Sequence, residues 1–327
     1  MINIGIVGIG SYGSKRARAV MSSDRGNLVA ISDTCTHAVE KASSEFKVPA
    51  ISGEELIHHP HIDVVMICTP NNHHARYINK TLMAGKHVFC EKPVTRDLEE
   101  AEEIALVAAG AEKTLKIGAN HRFFREVQQA RQIVDSGEIG ELLTFTGRIG
   151  HDGERIQGGW QMNRKISGGG TLLDNGWHMI DLARWFMGDF EHATGTTANT
   201  FWKDSDTEDC ATVVLTNKRN QMATILSSYR SFSGYMEIEL NGSDGFIIID
   251  SRFPGRTAHP LIYQNRKESL EVIHADIDHD GLNSMEKELD VYLKDIKDDV
   301  APEPSIKDAL ETMRLIDSVY RQNATSV

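Results

Sequence analysis

Short apolar, β-branched runs alternate with stretches of helical spacing through the first third of the chain. Ile2–Val7 is the first run, and residues 14–23 carry the first helical pattern. A second run, 28–32, ends on Asp33. Helices are predicted over 35–46 and Gly53–His58, and a buried strand over 63–68, closed by Thr69-Pro70. A helix over 72–84 stops at Gly85, the residue type that favours a helix C-terminus. The strand at 87–90 runs into Glu91-Lys92-Pro93, and Asp97 caps a helix ending near Gly110. Residues 114–118 form the last strand, followed by Asn120-His121-Arg122-Phe123. This alternation predicts a doubly wound parallel sheet with helices on both faces.

Beyond residue 124 the texture changes. A helix over 125–136, a strand at Leu142–Gly150, a glycine turn at 168–170 and a helix over 172–186 come first. Strand patterns then dominate 193–250, at 210–215, 222–229, 236–240 and 246–250, with turn residues at 217–220 and 241–245. These predict an antiparallel sheet in hairpin order. Helices over 283–298 and 306–322 close the chain and are expected to have the option of packing back on the first domain. The fold class is α/β, with a first domain over 1–121 and an α+β domain with an open, mostly antiparallel sheet over 122–327.

Composition narrows the function. With 327 residues there is room for about two domains. A formal charge of −12 argues against a nucleic-acid partner, which would demand a basic stripe. Cys35, Cys68, Cys90 and Cys210 are scattered and read as reduced thiols. The chain enters its first strand without a cleavable apolar leader, and no apolar run reaches the ~18 residues a membrane span needs. A cytoplasmic protein without a membrane partner is expected.

The first thirty-three residues carry the most specific signal. Strand, Gly8-Ile9-Gly10-Ser11-Tyr12-Gly13, helix, strand and Asp33 make the dinucleotide-binding fingerprint in its required order. Gly8 permits the tight turn, Gly10 lets a pyrophosphate approach the backbone, and Gly13 lets the helix pack closely on the sheet. The N–H groups of the first turn, at Ser11, Tyr12 and Gly13, face the phosphates. Asp33 is placed to accept from the adenosine ribose hydroxyls, which favours NAD, although NADP is not excluded. Lys15 and Arg16 are read as a solvated helix face.

In an open α/β sheet, ligands sit beyond the carboxyl ends of the strands. Four such ends carry polar or special residues: 8–13, 69–74, 91–93 and 120–122. Lys92, held extended by the following proline, is either a hydroxyl-binding group in a cleft or an ordinary surface lysine. Asp174, His178 and Asp181 fall at i, i+4 and i+7 of one helix and share a face. That set suits a proton carrier, a structural network or a metal site. The ligand count is too low for metal, so none is expected, and the histidines at 58, 59, 61 and 73 do not change this.

Taken together, the glycine turn, Thr69-Pro70 with His74-Ala75, Glu91-Lys92-Pro93, and the run from Gly168 through Asp174 and His178 to Asp181 resemble the Gfo/Idh/MocA oxidoreductases. The resemblance covers nearly the whole chain. It implies an N-terminal Rossmann domain and a C-terminal sheet through which a homodimer or homotetramer forms. It implies that Lys92 contacts the reacting hydroxyl, that His178 is the general acid/base and that Asp174 positions substrate or His178. Thr69, Pro70, Asn71 and His74 would line the nicotinamide side, and Glu91 the cofactor face. Asn120 and Arg122 would approach cofactor or substrate. The implied activity is NAD-dependent hydride transfer at a secondary alcohol of a sugar, nucleotide sugar or cyclic polyol. Trp160 and Arg164 lie in a segment with Arg148, Arg155 and Lys165 that reads as a substrate wall suited to phosphate, which leans toward nucleotide sugars. Two alternatives stay open: an NAD-dependent glycoside hydrolase with transient oxidation at C3, and a non-enzymatic dinucleotide-binding sensor.

Overall fold

The computed structural model describes residues 1–232, 234–251, 258–266, 270–276 and 282–324. The chain divides into two units, Met1–Phe123 with Asp278–Leu310, and Phe124–Ile277 with Glu311–Val327.

The first unit alternates strand and helix. In order these are β1 (Ile2–Val7), α1 (Ser11–Ser22), β2 (Gly26–Ser32), α2 (Thr36–Phe46), α3 (Gly53–His58), β3 (Val64–Ile67), α4 (His74–Met83), β4 (His87–Glu91), α5 (Leu98–Ala109) and β5 (Leu115–Gly118). The strands form one parallel sheet in the order β2-β1-β3-β4-β5. Because β3 and β4 are covered on both faces, all their apolar residues are buried, as continuous hydrophobic runs require. Local signals start two of the helices, and the one at Asp97 is the cap that the sequence predicts. Ser52 and Glu55 make a reciprocal capping box on α3, and Asp97 accepts from Glu100 N–H at 2.9 Å at the start of α5. The parallel register puts the carboxyl ends of β1, β3, β4 and β5 along one edge of the sheet.

The second unit opens with α6 (Arg125–Asp135), β6 (Leu142–Gly150) and α7 (Arg164–Ser167), then α8 (Trp177–Met187). Strands β7 (His192–Ala198), β8 (Cys210–Thr216), β9 (Met222–Ser228), β10 (Tyr235–Gly242), β11 (Gly245–Asp250), β12 (Ala258–Asn265) and β13 (Glu271–Asp276) follow. The chain closes with α9 (Leu282–Asp298), which packs on α1 in the first unit, and α10 (Ile306–Ala324). The second sheet has the order β13-β12-β11-β10-β6-β9-β8-β7. Hairpin order therefore holds only within β7-β8-β9 and β10-β11-β12-β13. Strand β6 is inserted between β9 and β10 and runs parallel to β9, the one parallel pair in this sheet among the described residues. Helices α6 and α8 cover one face. Alternation along β8, β9 and β10 buries one set of side chains and leaves the other half-exposed.

The expected helix over 172–186 is not uniform. Leu172–Gly176 forms a π turn that leads into α8. Asp174 sits on that turn and His178 on the α-helix, so simple α spacing does not relate them.

Candidate active site

In the first unit, the glycine motif can be tested atom by atom. Gly8 has φ +89°, and a Cβ there would lie 2.6 Å from the Cys68 carbonyl. A Cβ on Gly13 would lie 1.9 Å from Gly8 O, so the helix can meet the strand end only with glycine at this point. Gly10 is different: nothing lies within 4 Å of its would-be Cβ. Space above Gly10, contact beneath Gly13 and an α1 N-terminus with no side-chain cap and no acidic residue in its first turn suit a pyrophosphate. Ser11 and Tyr12 are exposed at this end. Asp33 accepts from Ile9 N–H at 2.7 Å and from Cys35 N–H at 2.9 Å. Each oxygen keeps lone-pair capacity, so these bonds aim the carboxylate without exhausting it. The residues present therefore fit an adenosine dinucleotide.

The turn carrying Lys92 is braced from two sides. His74 is buried, with Nε2 2.8 Å from Thr69 O and Nδ1 2.9 Å from Pro93 O. Both ring nitrogens face backbone carbonyls, and the neutral ring donates to one of them at a time, so His74 braces the end of β3 against the Glu-Lys-Pro turn. Burial pushes its pKa down despite those two carbonyls. Thr69 and Pro70 are half-buried and Asn71 is buried beside it.

Glu91 is held by Arg16, whose Nε donates at 2.6 Å. Arg16 was expected on a solvated face and is instead fully buried. Its second partner is Glu288 at 2.8 Å, which also binds Lys116 Nζ at 3.1 Å and Ala119 N–H at 2.6 Å. Arg16 also stacks 4.5 Å from the Phe89 ring centre. Burial pushes the Glu288 carboxyl up, but Lys116 and Arg16 pull it further down, so its net shift is downward. Asn120 and Arg122 are committed locally. Asn120 donates to Ser284 Oγ at 3.1 Å, and Arg122 is buried 3.9 Å from Asp308. These contacts anchor both residues to the C-terminal segment of the same unit.

In the second unit, Asp174 and His178 lie at the junction of the π turn with α8. His178 is buried beside Trp177, their ring centres 5.8 Å apart, and Asp181 is buried one turn on. Tyr229 Oη donates to Asp174 Oδ2 at 2.8 Å. Burial, then the Asp174 charge, hold the Tyr229 phenol well above its ordinary pKa, so it stays a donor. His151 and Trp202 pack on the Tyr229 ring at 5.1 and 5.8 Å.

The glycine run before the turn has a steric cause. A Cβ on Gly169 would lie 2.1 Å from Tyr320 Oη, and one on Gly170 would lie 2.0 Å from Glu208 O. Glu208 is buried and accepts from Gly170 N–H and Leu172 N–H at 3.0 Å each and from Tyr320 Oη at 2.8 Å. Burial raises its pKa. Sequence reasoning missed Tyr229 and Glu208, because each reaches the turn from a distant strand or loop and belongs to no local motif.

Trp160 opens a short 3-10 turn, Trp160–Met162, and is half-buried. Arg164 begins α7 and is engaged. It stacks 4.9 Å from the Tyr320 ring, donates to Asp206 O at 3.3 Å and lies 3.6 Å from Glu208. Arg148 lies 3.6 Å from Glu237. The cationic phosphate wall read from the sequence is thus partly neutralised by local pairs. Among the described residues, no group of three His, Cys, Asp or Glu stands close enough to hold a metal.

Comparison with known proteins now bears on this geometry. Residues 2–119 match the oxidoreductase family with an NAD-binding Rossmann fold, and 127–248 match the Gfo/Idh/MocA C-terminal domain. The chain belongs to the Gfo/Idh/MocA family. It is an NAD-binding oxidoreductase. One Gfo/Idh/MocA relative, the oxidoreductase YrbE of Bacillus subtilis (strain 168), is 30% identical over 259 residues, 76% of this chain and 74% of its own. Myo-inositol 2-dehydrogenase of Thermotoga maritima is 30% identical over 264 residues, 76% of this chain and 75% of its own. A levoglucosan dehydrogenase in complex with NADH has the same fold, with a TM-score of 0.88 at 20% identity over 99% of this chain and 97% of that one.

Proposed function

We propose that this Gfo/Idh/MocA member is an NAD-dependent dehydrogenase of a secondary alcohol on a sugar or cyclic polyol. The observation that carries the reading is the cradle of Gly8, Gly10, Gly13 and Asp33, open where a pyrophosphate lies and closed where helix meets strand. A relative named myo-inositol 2-dehydrogenase supports the substrate class. When bound, the nicotinamide supplies the acceptor for hydride. Lys92 donates a hydrogen bond to the reacting oxygen and stabilises negative charge as it develops there. His178 takes the hydroxyl proton. Asp174, aimed by Tyr229, orients the substrate or the imidazole. Asp33 favours NAD over NADP, because a carboxylate repels a 2′-phosphate.

We assign the enzyme to the cytoplasm, where free nicotinamide cofactor is held. We also infer a homo-oligomer built on the second sheet. One face of that sheet is covered by α6 and α8, while Val214, Leu226 and Ile248 on the other are only half-buried.

The test is absorbance of reduced nicotinamide, with NAD and then NADP, against inositols, free sugars, sugar phosphates and nucleotide sugars. A rise with NAD and one sugar or polyol class is expected. No rise in either direction, with NADH binding intact, would overturn the dehydrogenase reading. Glycoside cleavage without net NADH would favour the hydrolase instead.

A further inference from the structure

The second unit holds a groove of about 680 Å³ that the proposed reaction does not use. That volume is within the ~300–1,000 Å³ typical of small-molecule sites. Its floor and walls come from the Trp160–Met162 turn, the start of α7 and the loop at 204–206. Trp160 offers a flat, half-exposed ring. Gln157 and Asn163 offer amides, and Asp204, Ser205 and Asp206 bring two exposed carboxylates and a hydroxyl. Among the described residues lining the groove there is no lysine or arginine. Arg164, the nearest candidate by sequence, is stacked on Tyr320 and bonded to the Asp206 carbonyl.

The groove is tied to the turn that bears Asp174. Thr207 Oγ1 donates to Gln161 O at 3.2 Å, fastening the loop to the tryptophan turn. The next residue, Glu208, accepts from Gly170 and Leu172 N–H. The Asp204–Asp206 wall and the catalytic turn are thus two sides of one short loop.

We propose that this groove is a subsite for a second, uncharged sugar ring, so that the substrate is a neutral glycoside or disaccharide. The proposal rests on the dehydrogenase reading above. An aromatic ring accepts the apolar face of a pyranose. Each carboxylate has two oxygens with about four lone-pair sites and can take two neighbouring hydroxyls at once. The same carboxylates repel a phosphate or pyrophosphate, and the cations that neighbour groove residues in sequence, Arg164, Lys165 and Lys203, do not line the groove. The nucleotide-sugar preference suggested by the arginines of 148–165 is therefore replaced by a neutral substrate.

The experiment titrates the NADH-loaded enzyme calorimetrically with glucose, galactose, glucose 1-phosphate and neutral disaccharides of both anomeric linkages. NADH formation is followed in parallel on the NAD-loaded enzyme. At least one disaccharide should bind about tenfold tighter than its monosaccharide, and glucose 1-phosphate more weakly than glucose, a tenfold step being ~1.4 kcal/mol. Trp160→Ala should collapse the disaccharide-to-monosaccharide ratio toward one. The double variant Asp204→Asn/Asp206→Asn should narrow the discrimination against phosphate. Equal binding of monosaccharides and disaccharides, or tighter binding of the phosphate, would overturn the subsite while leaving the dehydrogenase reading intact. Selective disaccharide binding without NADH formation would retain the subsite and remove the dehydrogenase reading.

Discussion

At the residue scale, the same residue type serves opposite ends. Gly13 is needed because the backbone of Gly8 already fills the place of its Cβ, and Gly10 because that place must stay empty. A larger residue at position 13 breaks the fold, and one at position 10 blocks the ligand. Asp33 is aimed by two backbone N–H groups. Asp33→Ala should weaken NADH binding and relax discrimination against NADPH. Fluorescence titration with both cofactors checks this, and an unchanged ratio would remove Asp33 from the ribose. Lys92→Ala and His178→Ala should each lower turnover by roughly 10²–10⁴ with NADH binding nearly intact. Wild-type turnover in both would sink the assignment. Gly13 and Asp33 were legible because each answers to residues within one strand-helix-strand unit, and Gly8, which meets Cys68 beyond β3, was legible through its place in the motif. Tyr229 was not: it reaches Asp174 across 55 positions, and nothing local marks a strand tyrosine as a donor.

At the scale of elements, Arg16, Glu91, Lys116 and Glu288 join α1, β4, β5 and α9 through buried ion pairs. Two cations and two anions balance, so deleting one leaves an uncompensated buried charge. Glu288→Gln should cost about 3–5 kcal/mol, measured by urea unfolding at neutral pH. A cost below that of an ordinary surface change would mean the pairing is energetically idle. The pH dependence has a definite sign. The folded carboxyl of Glu288 lies below its ordinary 4.5, so above that pH its contribution is complete, and it is lost as pH falls through the folded value. The variant should therefore show a flatter acid limb of stability against pH. Periodicity in the sequence shows where α1 and α9 lie, but it does not show which helix face finds a partner 272 positions away. The π turn was hidden for a related reason. Over five residues, α and π periods differ by too little to register in a pattern of apolar positions.

At the scale of the whole molecule, the parallel sheet was readable because covered strands are continuously apolar and alternate with helices. The second sheet was only partly so. Strands β12 and β13, with sequences AHPLIYQN and EVIHAD, lack a clear alternation and were not anticipated. The insertion of β6 beside β9 is a long-range pairing that hairpin turns cannot announce. The proposed assembly is tested at this scale. Ile248→Arg places a charge on the half-exposed face of β11. Sedimentation equilibrium should show wild-type oligomers and a shift of the variant toward monomer. A monomeric wild type would end the assembly proposal.

One dipeptide has a practical consequence. Glu208 fastens the turn that bears Asp174, while Asp209 accepts from Thr200 N–H, Phe201 N–H and Trp202 N–H at 2.8 Å each and so fastens the far end of the neighbouring loop. The stretch between those anchors is a replaceable cassette. Transplanting 203–206 from a family member of different taste should retune which sugar is accepted, provided that Thr207-Glu208-Asp209 stays behind as the socket.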